Sequence, residues 1–214
     1  MTFEEIRDEL KNLAPEPSFS DLDYNNVIND VQREVCAKLL IPELKRITTV
    51  QTVLSTQYVS LSAVSSGFSG LLRRVRNASN SDEAVTIYRN LDDLFEFYGT
   101  AWGDSGTVES VALEGSTLWY AYVPNPVQTL TILYTANPTA LSVDSDIPIF
   151  PSFLHRKLLV NGSARVIWNL IETDIATEKI QTNANEYHFE KGLQEYREFL
   201  GKNRRHSIIS FWDV

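Results

Sequence analysis

Few residues of this 214-residue chain have the type and spacing that enzymatic chemistry requires. The three histidines, His155, His188 and His206, are scattered, and neither a cysteine nor an aspartate lies at ligand spacing from the first two. A zinc site needs several such ligands held close together, so the sequence predicts no metal site. The single cysteine, Cys36, lies on the apolar side of a predicted helix, which favours a core residue over a nucleophile.

Trp102 and Asp104 are the residues around which a sugar-processing site would be sought. Together with Trp119 and the clustered acids, they suggest a carbohydrate-binding or cell-wall-hydrolysing module. The simpler interpretation is that Asp104 forms a turn. No phosphate-binding loop, dinucleotide fingerprint or HExxH motif occurs, and the SGFSG run at 66–70 lacks the spacing of a nucleophile elbow. We therefore expect no enzymatic activity and no cofactor, with the carbohydrate module as the alternative.

The composition is that of an ordinary globular protein, with 43% hydrophobic and 22% charged residues. No apolar run approaches the roughly 18 residues of a membrane span, so we expect no membrane partner. The single cysteine fits synthesis in a reducing compartment. The net charge of -9 argues against tight nucleic-acid binding, because phosphate contacts need lysine and arginine. The acidic excess falls in the first two thirds of the chain, where it either provides solubility or repels the phosphates of a passing duplex.

The elements that position these residues begin with two helices in residues 1–46. Thr2 and Glu5 form a capping box at the start of the first helix, and prolines follow its apolar stripe. Ser20 begins the second helix and Pro42 closes it. Both helices carry apolar residues at helical spacing, which predicts half of a small bundle that is open on one side.

Residues 47–148 are predicted to form an inserted β subdomain. The start of this region has no charged residue up to Leu72 and is rich in Thr, Ser and Val. A short helix at 92–98, ended by Gly99, interrupts the strands. Six or seven short strands in about 90 residues indicate a small antiparallel sandwich or barrel. The predicted strands are 48–53, 57–61, 71–75, 84–88, 107–113, 118–123 and 128–134.

Residues 149–200 are predicted to form the two C-terminal helices of the core, the first beginning at Pro151. The last helix, 175–200, carries apolar residues on two nearly opposite faces. One face carries Ile180, Ala184 and Tyr187. The other face carries Phe189, Leu193, Tyr196 and Leu200. Either a kink at 183–185 turns both sets toward one core, or one face packs against another subunit. The second alternative makes the face with Phe189 the subunit interface.

Residues 201–214 are predicted to form an extended tail after a helix stop at Gly201. The tail joins a basic cluster to an apolar patch. The basic cluster is Lys202, Arg204 and Arg205, and the apolar patch is Ile208, Ile209, Phe211 and Trp212. It is either a strand folded back onto the β subdomain or, as we favour, a docking peptide steered by its basic residues and anchored by its aromatic ones. The predicted fold class is therefore α+β, a four-helix core with an inserted antiparallel β subdomain and an extended C-terminal tail.

This order of elements resembles the head-to-tail adaptor, or head-completion, proteins of tailed bacteriophages. The similarity covers roughly residues 1–200. The loop at 99–106 and the tail after Gly201 depart from the common pattern. The motifs that carry the resemblance are Leu118-Trp119-Tyr120, Val123-Pro124-Asn125-Pro126, Leu130-Thr131-Ile132-Leu133-Tyr134, Pro138, Leu141-Ser142, Asp144-Ser145-Asp146-Ile147-Pro148 and Pro151.

The resemblance implies a structural virion protein without a cofactor. Such adaptors form rings, commonly of twelve copies, beneath the portal vertex and extend the DNA channel to the tail. The implied partners are further copies of the chain, the portal protein, a downstream tail or stopper protein, and double-stranded DNA that passes through without sequence-specific binding. The chain would be made in the host cytoplasm, reside at the head–tail interface of the virion and dock its tail in the portal. A stopper or tail-completion ring is the nearest alternative.

Overall fold

A computed structural model of the chain describes residues 1–39, 41–61, 68–173 and 179–209, with only the backbone described at 69–71 and 203–209. The fold is α+β, as predicted. The α-helices of the described residues are α1 (Phe3–Leu13), α2 (Asp21–Lys38), α3 (Leu91–Tyr98), α4 (Asn161–Thr173) and α5 (Ile180–Ile209). The strands are β1 (Lys45–Gln51), β2 (Tyr58–Ser60), β3 (Phe68–Asn77), β4 (Glu83–Tyr88), β5 (Ser105–Gly106), β6 (Ser110–Glu114), β7 (Thr117–Tyr120), β8 (Val123–Pro124) and β9 (Thr129–Ala136).

The chain divides into two compact units. The helical unit is discontinuous and comprises Met1–Glu43 and Pro138–Val214, whereas the β unit is the continuous stretch Leu44–Asn137. A closed four-helix core stays a prediction.

Local capping signals begin the helices, and the capping box of Thr2 and Glu5 is confirmed. In α1 the Thr2 hydroxyl accepts the Glu5 N–H at 3.3 Å, and the Glu5 carboxylate accepts the Thr2 N–H at 2.9 Å. These reciprocal bonds satisfy two donors that the first helical turn would otherwise leave unpaired. At α3 the Asn90 side chain accepts the Asp93 N–H at 2.7 Å. Gly99 ends α3 with a φ of 47°, a backbone conformation that glycine adopts at little cost.

Polar bonds attach the segment after Pro138 to the N-terminal helices of the helical unit. The Asn29 side chain donates to the Leu141 carbonyl at 3.0 Å and accepts the Leu141 N–H at 2.8 Å. The buried Gln32 amide donates to the Thr139 carbonyl at 2.9 Å. Buried amides need such partners, so α2 fixes the path of this segment through side-chain-to-backbone bonds.

The predicted helix stop at Gly201 is wrong, because α5 continues to Ile209. Gly201 lies inside the helix, exposed, with open space where a Cβ would be. A single exposed glycine lowers helix stability by only about 1 kcal/mol relative to alanine, and Lys202, Arg204 and Arg205 are good helix formers. Residues 201–209 are therefore helical and not an extended tail. Phe211 and Trp212 lie outside the described residues.

The β unit contains a curled mixed sheet, so the purely antiparallel sheet that we predicted is corrected. Its strand order is β1-β9-β3-β4-β6-β7-β2. β4 and β6 pair in parallel, while the other pairs of this sheet are antiparallel. The connection from β4 to β6 contains α3, and a helical crossover is the usual way to join parallel neighbours. β5 and β8 form a separate two-stranded parallel ribbon.

A buried polar network crosses the core of the β unit. The Gln128 Oε1 atom accepts the Asn77 Nδ2–H at 2.6 Å and the Val108 N–H at 2.9 Å. Its backbone N–H donates to the Thr52 hydroxyl at 2.9 Å. The surrounding core is apolar. It includes Val75, Val111, Leu118, Tyr120, Leu130 and Ile132. A satisfied network of this kind fixes how the strands meet.

Candidate assembly surfaces

The residues that could do chemistry have structural roles in the helical unit. Cys36 is buried, as predicted, and burial raises the pKa of its thiol to about 12, so the reactive thiolate is not formed near neutral pH. His155 is also buried, and its Nε2 atom lies 2.7 Å from the Phe150 carbonyl. Burial lowers the pKa of His155, which favours the neutral ring as a donor to that carbonyl.

The two tryptophans of the predicted sugar site belong to separate aromatic pairs in the β unit. The Trp102 ring packs edge-on against Phe95 with centroids 5.5 Å apart, and Trp119 packs against Tyr58 at 5.0 Å. Asp104 is exposed; its backbone N–H donates to the Ala101 carbonyl in a turn, and its carbonyl accepts the Val123 N–H beside the paired strands β5 and β8. Within the described residues, no group of three or more His, Cys, Asp or Glu side chains is arranged to hold a metal. This region therefore has the features of a packed turn.

The chain's own core already covers the face of α5 that the sequence analysis assigned to a subunit interface. Phe189, Leu193, Tyr196 and Leu200 are all buried. The Phe189 ring lies against Gly162, where an added Cβ would come within 2.8 Å of the ring. The Arg165 guanidinium covers the same ring at 4.3 Å from its centroid. A subunit contact through α5 must therefore use another face.

The opposite face of α5 is open to solvent. Ile180 is 63% exposed, Tyr187 is 65% exposed, and Ala184 is exposed as well. The two apolar sets therefore do not face one core, so the kink proposed for that purpose is not needed. A shallow groove of about 410 Å³ lies along this face. It is lined by Tyr187, Glu190, Lys191, Gln194 and Arg197. Apolar, charged and amide groups in one groove are suited to contact with another protein.

The predicted docking residues lie at the end of α5. Lys202 is exposed. The backbone of Arg204, Arg205, Ile208 and Ile209 is helical, and their side chains lie outside the described part of the structure, as do Phe211 and Trp212. The docking role of these seven residues stays a prediction.

An exposed surface on α3 was missed by the sequence analysis. We call it the acidic aromatic patch and define it as Asp92, Asp93, Phe95, Glu96 and Phe97. Phe97 is 69% exposed, and Phe95 is 54% exposed. Of the eight residues of this helix, Leu94 is the one that is fully buried. The available signal was a short helix with more aromatic residues than one buried face can hold.

Neighbouring aromatic rings hold the patch in place. Phe97 lies 5.5 Å from Tyr88 and 5.2 Å from Tyr98, measured between ring centroids. Tyr98 in turn packs against Tyr122 at 5.2 Å and donates a hydrogen bond to the Ser110 hydroxyl at 2.7 Å. Aromatic pairs at these distances add stability beyond their buried area, so the exposed rings rest on an ordered base.

Comparison with known proteins identifies the family of the chain. Among the described residues no helix is both long enough and apolar enough to cross a membrane. A comparison with curated proteins returned no match. A family model described as SU10 adaptor protein matches residues 1–206 and so covers both units of the fold. The resemblance to phage head-to-tail adaptors is therefore confirmed, and the chain belongs to the SU10 adaptor protein family, a family of phage head–tail adaptors.

Proposed function

We propose that the chain forms a ring of twelve copies beneath the portal, extends the DNA channel and joins the head to the tail. The observation that carries this proposal is the family match over residues 1–206, which includes both units. Membership in an adaptor family implies a place in the virion and contacts with portal and tail proteins. A ring is the arrangement in which a head-to-tail contact between identical chains closes on itself.

A structural role is supported by what the chemistry-bearing residues do. Cys36 and His155 are buried groups of the helical unit, and Asp104 forms a turn. The carbohydrate alternative has little support, because the rings of Trp102 and Trp119 are already packed against other aromatic rings. We therefore assign the chain to assembly and not to catalysis.

The portal contact is assigned to the end of α5. The helix extends to Ile209, so the basic residues Lys202, Arg204 and Arg205 are carried on a helical backbone and not on a flexible tail. A preformed helix loses less conformational entropy on docking than an extended peptide. Phe211 and Trp212 would follow this helix as apolar anchors. The open face of α5, with Ile180 and Tyr187, provides a further surface that a neighbour can cover.

Passing DNA is proposed to meet an acidic channel. The net charge of the chain is -9, and a ring multiplies that charge around the central opening. Like charge repels the phosphates, so the duplex moves through without being held.

Electron microscopy of the purified chain mixed with the portal complex of the same phage tests the proposal. We expect a ring with twelve-fold symmetry on the portal. Deletion of residues 202–214 should remove portal binding while the chain stays folded. The double variant R33E/R156E is the control, because both arginines are exposed and lie far from the deleted segment in the sequence. A chain that never forms a ring on the portal, or that still binds after the deletion, contradicts the ring or the docking assignment respectively.

A further inference from the structure

The acidic aromatic patch has the spacing of a single contact surface. Phe95 and Glu96 follow Asp92 by three and four positions, so the three side chains share one face of α3. Asp93 and Phe97 form the adjacent row on the same grounds. None of the three acids forms an ion pair within the described part of the chain. Apolar rings surrounded by unpaired carboxylates are suited to a basic partner with apolar side chains of its own.

A surface of opposite charge lies on the seven-stranded sheet of the β unit, on the side that faces away from the core. Ile47 of β1, Leu133 of β9 and Arg74 of β3 are directly opposite one another across three strands. Cross-strand neighbours point to the same side of a sheet, and Lys45 joins them because it is two residues from Ile47. We call these four residues the basic sheet face.

The basic sheet face points away from the core of the β unit. Ile132 is next to Leu133 and fully buried, so Leu133 points to the opposite side. Ile47 is 72% exposed. Lys45 and Arg74 are exposed and form no ion pair among the described residues. The face therefore offers two unpaired cations beside an apolar pair.

We propose that the basic sheet face of one copy packs against the acidic aromatic patch of the next copy. Lys45 and Arg74 would pair with Asp92 and Glu96, and Ile47 would be covered by the exposed phenyl rings. The two surfaces belong to different elements, since α3 packs against β4 and β6 whereas β1 is the terminal strand of the sheet. A contact between two different surfaces is head-to-tail, and such a contact forms a ring when the rotation between successive copies closes. This inference rests on the proposed ring.

A second copy explains the basic sheet face better than DNA does. Phosphate binding would use Lys45 and Arg74 but would leave Ile47 and Leu133 in water. The acidic aromatic patch repels phosphate, so a protein surface suits it and DNA does not. Large exposed apolar side chains surrounded by charge are the usual mark of a protein contact.

Charge reversal with mixing tests the pairing. The variant K45E/R74E makes the sheet face acidic, and D92K/E96K makes the patch basic. Each variant alone would bring like charges together, and we expect at least about tenfold fewer rings on the portal complex in electron micrographs. An equal mixture of the two restores opposite charges at every contact and should restore the rings. R33E/R156E is the charge-matched control and should assemble as the unaltered chain does, because its two arginines are largely exposed and their ion pairs with Asp30 and Glu9 are surface pairs that contribute little to stability.

Each outcome decides a different point. If both variants still form rings, the inference is overturned and the proposed ring stands. If each loses the ring and the mixture does not recover it, the two surfaces do not meet each other, and the pairing is again overturned. If K45E/R74E keeps the ring but lowers retention of a double-stranded DNA fragment, the sheet face contacts DNA. If the unaltered chain forms no ring, the proposed function fails and the inference with it.

Folding is checked separately from assembly. Circular dichroism melting should place all variants within a few degrees of the unaltered chain, because the changed side chains are exposed. The neutral variant D92N/E96Q avoids placing lysine in the first turn of α3. D92N/E96Q should reduce ring formation less than D92K/E96K does. The inference is overturned if D92N/E96Q leaves ring formation unchanged and D92K/E96K prevents it only by unfolding α3.

Discussion

The helical unit and the β unit use their charges in different ways. All but one of the ion pairs among the described residues lie within the helical unit, and the exception is Arg76 with Asp82 in the β unit. In the helical unit Arg165 contacts both Glu34 and Glu186. In the β unit, Lys45 and Arg74 lie on the basic sheet face and Asp92, Asp93 and Glu96 on the acidic aromatic patch, and none of these five side chains forms an ion pair among the described residues. Ion pairs therefore lie mainly within the helical unit, whereas the proposed contact between copies uses unpaired charges of the β unit.

Disturbing the close packing of the helical unit at Gly162 should give the largest loss of stability. A Cβ at Gly162 would lie 2.8 Å from both the Phe189 ring and the Val31 side chain. Gly162→Val should therefore lower the free energy of unfolding by about 3 kcal/mol, because the core must shift to admit it. Urea unfolding followed by circular dichroism measures this. Gly201→Ala is the control, since its Cβ meets open space and should stabilise α5 by about 0.5–1 kcal/mol. Equal effects at both glycines would contradict this packing.

The buried network of the β unit should come next. Gln128→Leu keeps the volume but removes the acceptor of the Val108 N–H and one of the two acceptors of the Asn77 amide, which keeps the Val108 carbonyl. Each unsatisfied buried group costs about 1–3 kcal/mol, so we expect a loss of roughly 2–3 kcal/mol in the free energy of unfolding. Gln51→Leu is the matched control, because Gln51 is exposed on β1. If Gln128→Leu lowers the free energy of unfolding no more than Gln51→Leu does, the network does not hold the β unit together.

Arginine substitutions test the difference between the units directly. Arg165 is mostly buried between Glu34 and Glu186 and covers the Phe189 ring. Arg165→Ala should lower the free energy of unfolding by about 2 kcal/mol, because Glu186 loses its partner and Glu34 keeps only Lys38. Arg74→Ala should change it by less than about 0.5 kcal/mol, since Arg74 is exposed. Thermal melts of both variants at the same salt concentration measure the two losses of stability. Similar losses at the two arginines would remove the distinction that we draw between the units.

A pH effect at Asp146 should be the smallest. Its carboxylate accepts the N–H groups of Ser142 at 2.7 Å and Val143 at 3.0 Å, and these backbone bonds lower the pKa of Asp146 below its ordinary value of 3.8. A lowered pKa in the folded state means that the contribution is present above pH 3.8 and is lost as the pH falls through the folded pKa. Asp146→Asn should melt slightly lower than the unaltered chain at pH 7. The difference should vanish in acid. A difference that persists there would point to another cause.

Local signals in the sequence predicted the elements well. The Thr2–Glu5 capping box and the Gly99 stop depend on neighbouring residues, and both are confirmed. The parallel pairing of β4 with β6 and the burial of Phe189 depend on contacts between distant parts of the chain, and no local pattern carries them. The helix stop predicted at Gly201 failed for a similar reason. Helix-forming residues on both sides of Gly201 continue α5 through it, because one glycine weakens a helix only slightly.

The acidic aromatic patch could be predicted only in part. The short helix at 92–98 was visible, but a sequence does not show that Leu94 alone fills the buried face. The basic sheet face depends on the register that sets Ile47 opposite Leu133 and Arg74, with a bulge between Leu72 and Arg74. Register and bulges arise from tertiary packing, so they had to be seen in the structure.

The most direct test of the central claim is native mass spectrometry of the portal complex with and without the chain. The account predicts a mass increase of twelve times 24.3 kDa, the mass of one chain. It also predicts that no complexes with intermediate numbers of copies accumulate once the chain is in excess, because a closed ring leaves no unpaired surface. An increase corresponding to one or a few copies, or none at all, would contradict the ring.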